Sequence, residues 1–227
     1  MNMPSKDMRT MGYVLRRTNY GEADRIINII TKEGKVAVIA KGVRKTKSKL
    51  AGGIEMFTLG DYNIHFGKGE LGTLTGAKMV RHYGEIMKDY GRMELAGVIL
   101  KYVSAAADGA DNPDYFRIVD QSLRAINRGM DLRIVEIWFW INLKRAMGEE
   151  VNLYRDDRGE KLMEGLRYDW DLSENSLVVR EAGDIGVDEI KLMRLMTTVD
   201  LDSVKGIKCR EAVIGTVSRI VQVMRNE

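Results

Sequence analysis

Ala23-Asp24-Arg25-Ile26-Ile27-Asn28-Ile29-Ile30-Thr31-Lys32-Glu33-Gly34-Lys35-Val36-Ala37-Val38-Ile39-Ala40-Lys41 carries the clearest β pattern of the chain. Two runs rich in Ile and Val flank Thr31-Lys32-Glu33-Gly34, and Gly34 is free to take positive φ. The spacing therefore predicts strands over 23–31 and 35–41 joined as a hairpin. Working outward, residues 10–17 read as an earlier strand, followed by the turn-like Thr18-Asn19-Tyr20-Gly21, while 54–66 and 71–80 read as two later strands. Five short strands within residues 1–81 fit a small closed β-barrel. The OB fold is the five-stranded version associated with oligonucleotides; periodicity alone leaves an SH3-like barrel open.

Charge follows the same division. Residues 1–81 hold fifteen Lys and Arg against seven Asp and Glu, a net of +8, whereas the remaining residues hold 21 basic and 26 acidic side chains. The overall +3 therefore conceals two unlike parts, and the basic one is suited to a polyanion. Its densest cluster is Lys41-Gly42-Val43-Arg44-Lys45-Thr46-Lys47-Ser48-Lys49, with five cations and no acid, running on to Gly52-Gly53. Packed cations repel unless salt or phosphate screens them. The segment reads as a mobile loop projecting from a strand end, able either to follow a phosphate backbone or simply to be solvated.

Several N-terminal segments also carry a resemblance. In order they are Met11-Gly12-Tyr13-Val14-Leu15-Arg16-Arg17, Tyr20-Gly21-Glu22-Ala23-Asp24-Arg25-Ile26-Ile27, Thr31-Lys32-Glu33-Gly34-Lys35, Ala40-Lys41-Gly42-Val43-Arg44 and Gly69-Glu70-Leu71-Gly72-Thr73-Leu74. Together they resemble the N-terminal signature of the RecO family of bacterial recombination mediators. The resemblance implies an OB-fold domain followed by a helical domain, binding of single- and double-stranded DNA, and annealing of complementary strands. It also implies work with RecR and single-stranded-DNA-binding protein in loading RecA.

The C-terminal part is expected to be mostly helical. Apolar positions at helical spacing predict a helix over 85–108; Asp111-Asn112-Pro113 signals the start of another that stops at Gly129. Residues 132–147, containing Trp138-Phe139-Trp140, are apolar almost all round and predict a central buried helix, with both tryptophans in the core rather than forming a base-stacking platform. Alternation at Leu166, Tyr168, Trp170 and Leu172, a turn at Ser173-Glu174-Asn175-Ser176 and the run Leu177-Val178-Val179 predict a β-hairpin within about 151–182. Helices over 187–198 and from about Ile207 to 225 complete an α+β chain of two domains, 1–81 and 82–227.

Composition narrows the chemistry. Many RecO-like sequences carry a four-cysteine zinc site near this hairpin, but Cys209 is the single cysteine here, and with His65 and His82 it supplies no usual ligand set. Neither metal nor cofactor is expected. Gly67-Lys68-Gly69-Glu70-Leu71-Gly72 matches the spacing of a dinucleotide-binding loop, yet the residues after it continue as a strand, so a hairpin turn is the reading. One cysteine, no secretory signal and no apolar run of about twenty residues lead to the expectation of a soluble intracellular protein, and the resemblance implies a cytoplasmic one, at the bacterial nucleoid during repair.

The expected function is that of a non-enzymatic DNA-binding and annealing module. Arg16, Arg17, Lys35, Lys41, Arg44, Lys45, Lys47 and Lys49 would neutralise phosphates and leave bases free to pair. Residues 23–41 contain no aromatic side chain, so stacking is expected to be minor. The alternatives are an RNA-associated OB protein and a nucleic-acid-acting enzyme, the latter needing a carboxylate or metal cluster on the basic face.

Overall fold

The computed structural model describes residues 6–110, 112–149, 151–171, 175–204 and 209–225. Asp111, Leu172, Ser173, Glu174 and Ile207, used in the sequence reading, lie outside the described residues. The chain forms two compact units, Met1–Arg128 and Gly129–Glu227.

The first unit contains β1 (Lys6–Tyr20), β2 (Asp24–Thr31), β3 (Gly34–Ala40), β4 (Thr58–Phe66) and β5 (Gly72–His82), closed into a barrel of order β1-β2-β3-β5-β4. At the β2–β3 turn Gly34 takes φ 121°, and the Thr31 hydroxyl donates to the Gly34 carbonyl at 2.9 Å. β1 is longer than expected because it serves two neighbours, pairing with β4 through residues 6–13 and with β2 through residues 12–20. A bulge between Val14 and Arg16 bends it around the barrel. The ring closes where β3 runs parallel to β5, Val38 opposite Gly72 and Ile39 opposite Thr73, which makes it OB-like.

Alternation on the strands sends Val14, Ile27, Ile29, Val38, Ile64 and Leu74 into one core with Tyr62. Each such side chain is worth about 1.5–3 kcal/mol of burial, the main source of barrel stability. The expected fourth strand begins four residues late. Phe57 sits in the left-handed region at φ 57°, where a non-glycine residue breaks a ladder, so 54–57 form a turn and Thr58 opens β4.

After β5 the backbone makes a short 3₁₀ turn, Gly84–Lys88, before α1 (Tyr90–Ala106) starts under the Asp89 cap, whose carboxylate accepts from Arg92 N at 2.9 Å. α2 (Asp114–Asn127) follows. The strand run thus ends near Arg81, but the first unit continues through both helices. Tyr13 on β1 stacks with Tyr83 and tilts against Phe116 of α2, and its hydroxyl donates to Asp120 at 2.6 Å.

The second unit comprises α3 (Leu132–Ala146), the hairpin β6 (Tyr168–Asp171) with β7 (Ser176–Val179), α4 (Val187–Thr198) and α5 (Glu211–Met224). α3 is its central helix: Val135 and all of Ile137 through Leu143 are buried, and α4 and α5 pack on it. Trp138 Nε1 donates to the Val199 carbonyl at 3.0 Å, and Asn142 Nδ2 to that of Met196 at 3.0 Å. Both neighbouring tryptophans are core residues, so neither offers a face to a base. Among the described residues no helix is long and apolar enough to cross a membrane.

Candidate nucleic-acid interface

The loop between β3 and β4 folds onto the barrel, where the sequence leads to the expectation of a projecting loop. It is a string of turns, with Lys45 N donating to Gly42 O, Ser48 N to Lys45 O and Gly53 N to Leu50 O. Val43 and Ile54 are buried in the barrel core with Leu50 and Ala51 packed against it, so the loop's apolar positions close the barrel while its cations turn outward. At Gly53 an added Cβ would lie 2.6 Å from the Ala77 backbone, so only glycine allows the loop to pass this close to β5.

The loop's beginning is fastened to the β1–β2 turn. Gly42 N donates to Asp24 Oδ1 at 2.7 Å, Arg44 N to Ala23 O at 2.9 Å, and the Arg44 guanidinium to Gly21 O at 3.2 Å. On the adjoining strands Arg25 lies opposite Ala40 and donates to Asn19 Oδ1. One end of the barrel therefore gathers Arg25, Lys41, Arg44 and Lys45, with Glu22 and Asp24 as the acids of the same turn. Lys47 and Lys49 continue the basic surface along the loop.

The proposed site residues fall into two groups. Lys41, Arg44, Lys45, Lys47 and Lys49 are exposed, and none has an acidic partner among the described residues. Arg16 is exposed as well and lines a groove of about 880 Å³ with Phe66, Lys101 and Asp108. Arg17 and Lys35 are instead engaged. Arg17 bonds Glu55 at 3.0 Å and the Ile54 carbonyl. Lys35, its side chain only 11% exposed, donates to the Ser104 carbonyl at 2.6 Å and pairs with Asp108, fixing the end of α1 to β3. Removing that lysine from its acceptors to meet a phosphate would cost a nearly buried, charge-assisted contact. Elsewhere on the barrel Arg9 donates to Asp61 at 2.7 Å and holds its carboxyl below the usual carboxylate range, so that face is balanced in charge.

One residue at this end escaped the sequence reading. Tyr20, the last residue of β1, is 55% exposed. The sequence places it in the turn Thr18-Asn19-Tyr20-Gly21, because nothing in its neighbours distinguishes an outward ring from an inward one.

Gly67 through Leu71 connect antiparallel β4 and β5, so the glycine-rich motif is a hairpin turn and opens no helix. The residues present do not fit the family's zinc either. Among the described residues no group of three or more His, Cys, Asp or Glu is placed to hold a metal. The segment is held by other means: Arg194 donates twice to the Leu153 carbonyl, at 2.9 and 2.7 Å, and lies over the Tyr154 ring at 4.6 Å. Arg167 bonds the Gly183 and Asp184 carbonyls, and the Tyr168 hydroxyl accepts from Met163 N at 2.8 Å.

Comparison with known proteins agrees with this geometry. Residues 3–83 match the family model described as Recombination protein O N terminal. A DNA repair protein RecO of Listeria monocytogenes serotype 4b is 34% identical over 139 residues, 60% of this chain and 54% of that protein. Proteins of the same name are 32% identical in Exiguobacterium, over 62% of this chain and 57% of the relative, and in Bacillus cytotoxicus, over 60% and 56%. The chain spans about half the length of these curated relatives. Residues 3–83, with the strand order and closure of an OB-like barrel, thus match the N-terminal domain of the RecO family, and the chain is similar to DNA repair proteins RecO over about 60% of its length.

Proposed function

We propose that the chain is a DNA-binding recombination mediator that acts in DNA repair in the bacterial cytoplasm. It binds single- and double-stranded DNA, anneals complementary strands, and works with RecR to help load RecA on DNA coated by single-stranded-DNA-binding protein. The observation that carries the reading is the acid-free set Lys41, Arg44, Lys45, Lys47 and Lys49, held outward by a folded loop at the end of an OB-like barrel. Cations on a fixed frame neutralise phosphates without reading bases. Two strands neutralised in this way repel each other less, and their pairing edges stay open. Arg16 extends the basic surface, while Arg17 and Lys35 keep the frame in shape through Glu55, Asp108 and the α1 carbonyl.

The mediator reading assigns the protein no bond-breaking step, and DNA itself is the partner that the basic surface meets. Mixing complementary labelled oligonucleotides with the protein in EDTA and without ATP tests it. Annealing should be faster than the spontaneous rate, with single-stranded DNA bound at least as tightly as RNA of equal sequence. An absolute need for nucleotide, strand cleavage lost on a single carboxylate substitution, or a strong preference for RNA would replace the mediator by one of the alternatives.

A further inference from the structure

We infer that Tyr20 is a stacking platform for one unpaired base, set beside the phosphate-binding cations; the inference rests on the DNA-binding reading above. Tyr20 ends β1 opposite Asp24, and Gly21 follows it at φ 55°, so the chain reverses immediately after it. More than half of the tyrosine is exposed, and among the described residues its side chain has no ring contact or hydrogen bond. The turn it opens is also hydrogen-bonded to the β3–β4 loop. Asp24, its cross-strand neighbour, accepts from Gly42 N, while Arg44 spans to the carbonyls of Gly21 and Ala23. The turn that begins at Tyr20 is thereby bonded by the guanidinium and backbone N of Arg44, with Arg25 and Lys41 on the adjoining strand ends.

Sequence-tolerant single-strand sites combine a basic track with a ring on which a base can stack. Glu22 is the exposed acid of this turn and would keep the track from crossing it, steering the backbone toward Lys41 and Arg44. One platform per chain suits an annealer. A single base anchors the strand, and the bases around it remain free to find their complements. A duplex keeps its bases stacked and offers this ring nothing.

The test compares wild type, Y20A and Y20F by fluorescence anisotropy on a labelled oligothymidine, a fully abasic strand of equal length and a duplex. Stacking contributes enough per base that Y20A should weaken binding to the intact strand by about 5- to 150-fold. Y20F should bind as wild type does, wild type should bind the abasic strand as weakly as Y20A binds the intact one, and duplex affinity should be unchanged. Equal binding of intact and abasic strands by wild type, or equal loss on strand and duplex in Y20A, would overturn the platform while leaving DNA binding in place. If wild type bound none of the three nucleic acids, the DNA-binding reading and the platform would fall together.

Discussion

Two buried tyrosines show how single residues tie the barrel to its surroundings. Burial pushes the hydroxyls of Tyr13 and Tyr62 well above the ordinary tyrosine range, and for Tyr13 the hydrogen bond to Asp120 adds to it. An unfolded tyrosine releases its proton near pH 10, whereas the native ones hold theirs. The folded state then binds more protons than the unfolded one, so this stability is fully present below about pH 10 and is lost as the pH rises above it. Chemical denaturation should show a fall of up to about 1.4 kcal/mol per pH unit for Tyr62 between pH 10 and 11, a slope that Y62F lacks. Parallel profiles for wild type and Y62F would mean that Tyr62 is not buried as described. At the same scale, Tyr20 explains why the site was only partly legible. Its charged neighbours are visible as a run of letters, but which way a ring points at the end of a strand depends on register, which is set by distant pairings.

At the scale of elements, the hairpin over 23–41 was legible because Ile and Val alternation and a turn glycine are local signals, and β2, β3, α3 and α4 fall within a residue or two of their expected spans. What was not legible depends on contacts far along the chain. The polar ends of β1 become strand because β2 and β4 need partners, and 54–57 become a turn because Ile54 is drawn into the core. The basic loop belongs here too: its cations were plain in the sequence, while its anchoring through Val43 and Asp24 was not. The segment before α4 gives a prediction. Its carbonyls are held by Arg194 and Arg167 and not by thiolates, so elemental analysis should find no stoichiometric zinc and EDTA should leave thermal unfolding unchanged. R194A, in contrast, should destabilise the second unit by about 1–3 kcal/mol, since it strips donors from a buried carbonyl. One tightly held zinc per chain would contradict this.

For the whole molecule, we propose that the folded basic loop at the barrel end holds the DNA backbone. Charge asymmetry between the two parts of the chain was readable from composition alone; the division of the cations into exposed ones and those engaged with Glu55 and Asp108 was not, because a pairing across 38 or 73 residues leaves no local trace. The most direct measurement is the salt dependence of single-strand binding by wild type and by a variant with Arg44, Lys45, Lys47 and Lys49 all changed to alanine. If each cation displaces one counterion, the slope of log K against log salt should shrink by roughly 3, at about 0.7 per phosphate contact. Thermal stability should stay within about 1 kcal/mol, because Lys45, Lys47 and Lys49 face solvent and Arg44 gives up one exposed hydrogen bond to Gly21 O. A variant with wild-type affinity and slope would show that the loop does not hold the backbone and move the DNA path to the groove lined by Arg16, Phe66 and Lys101.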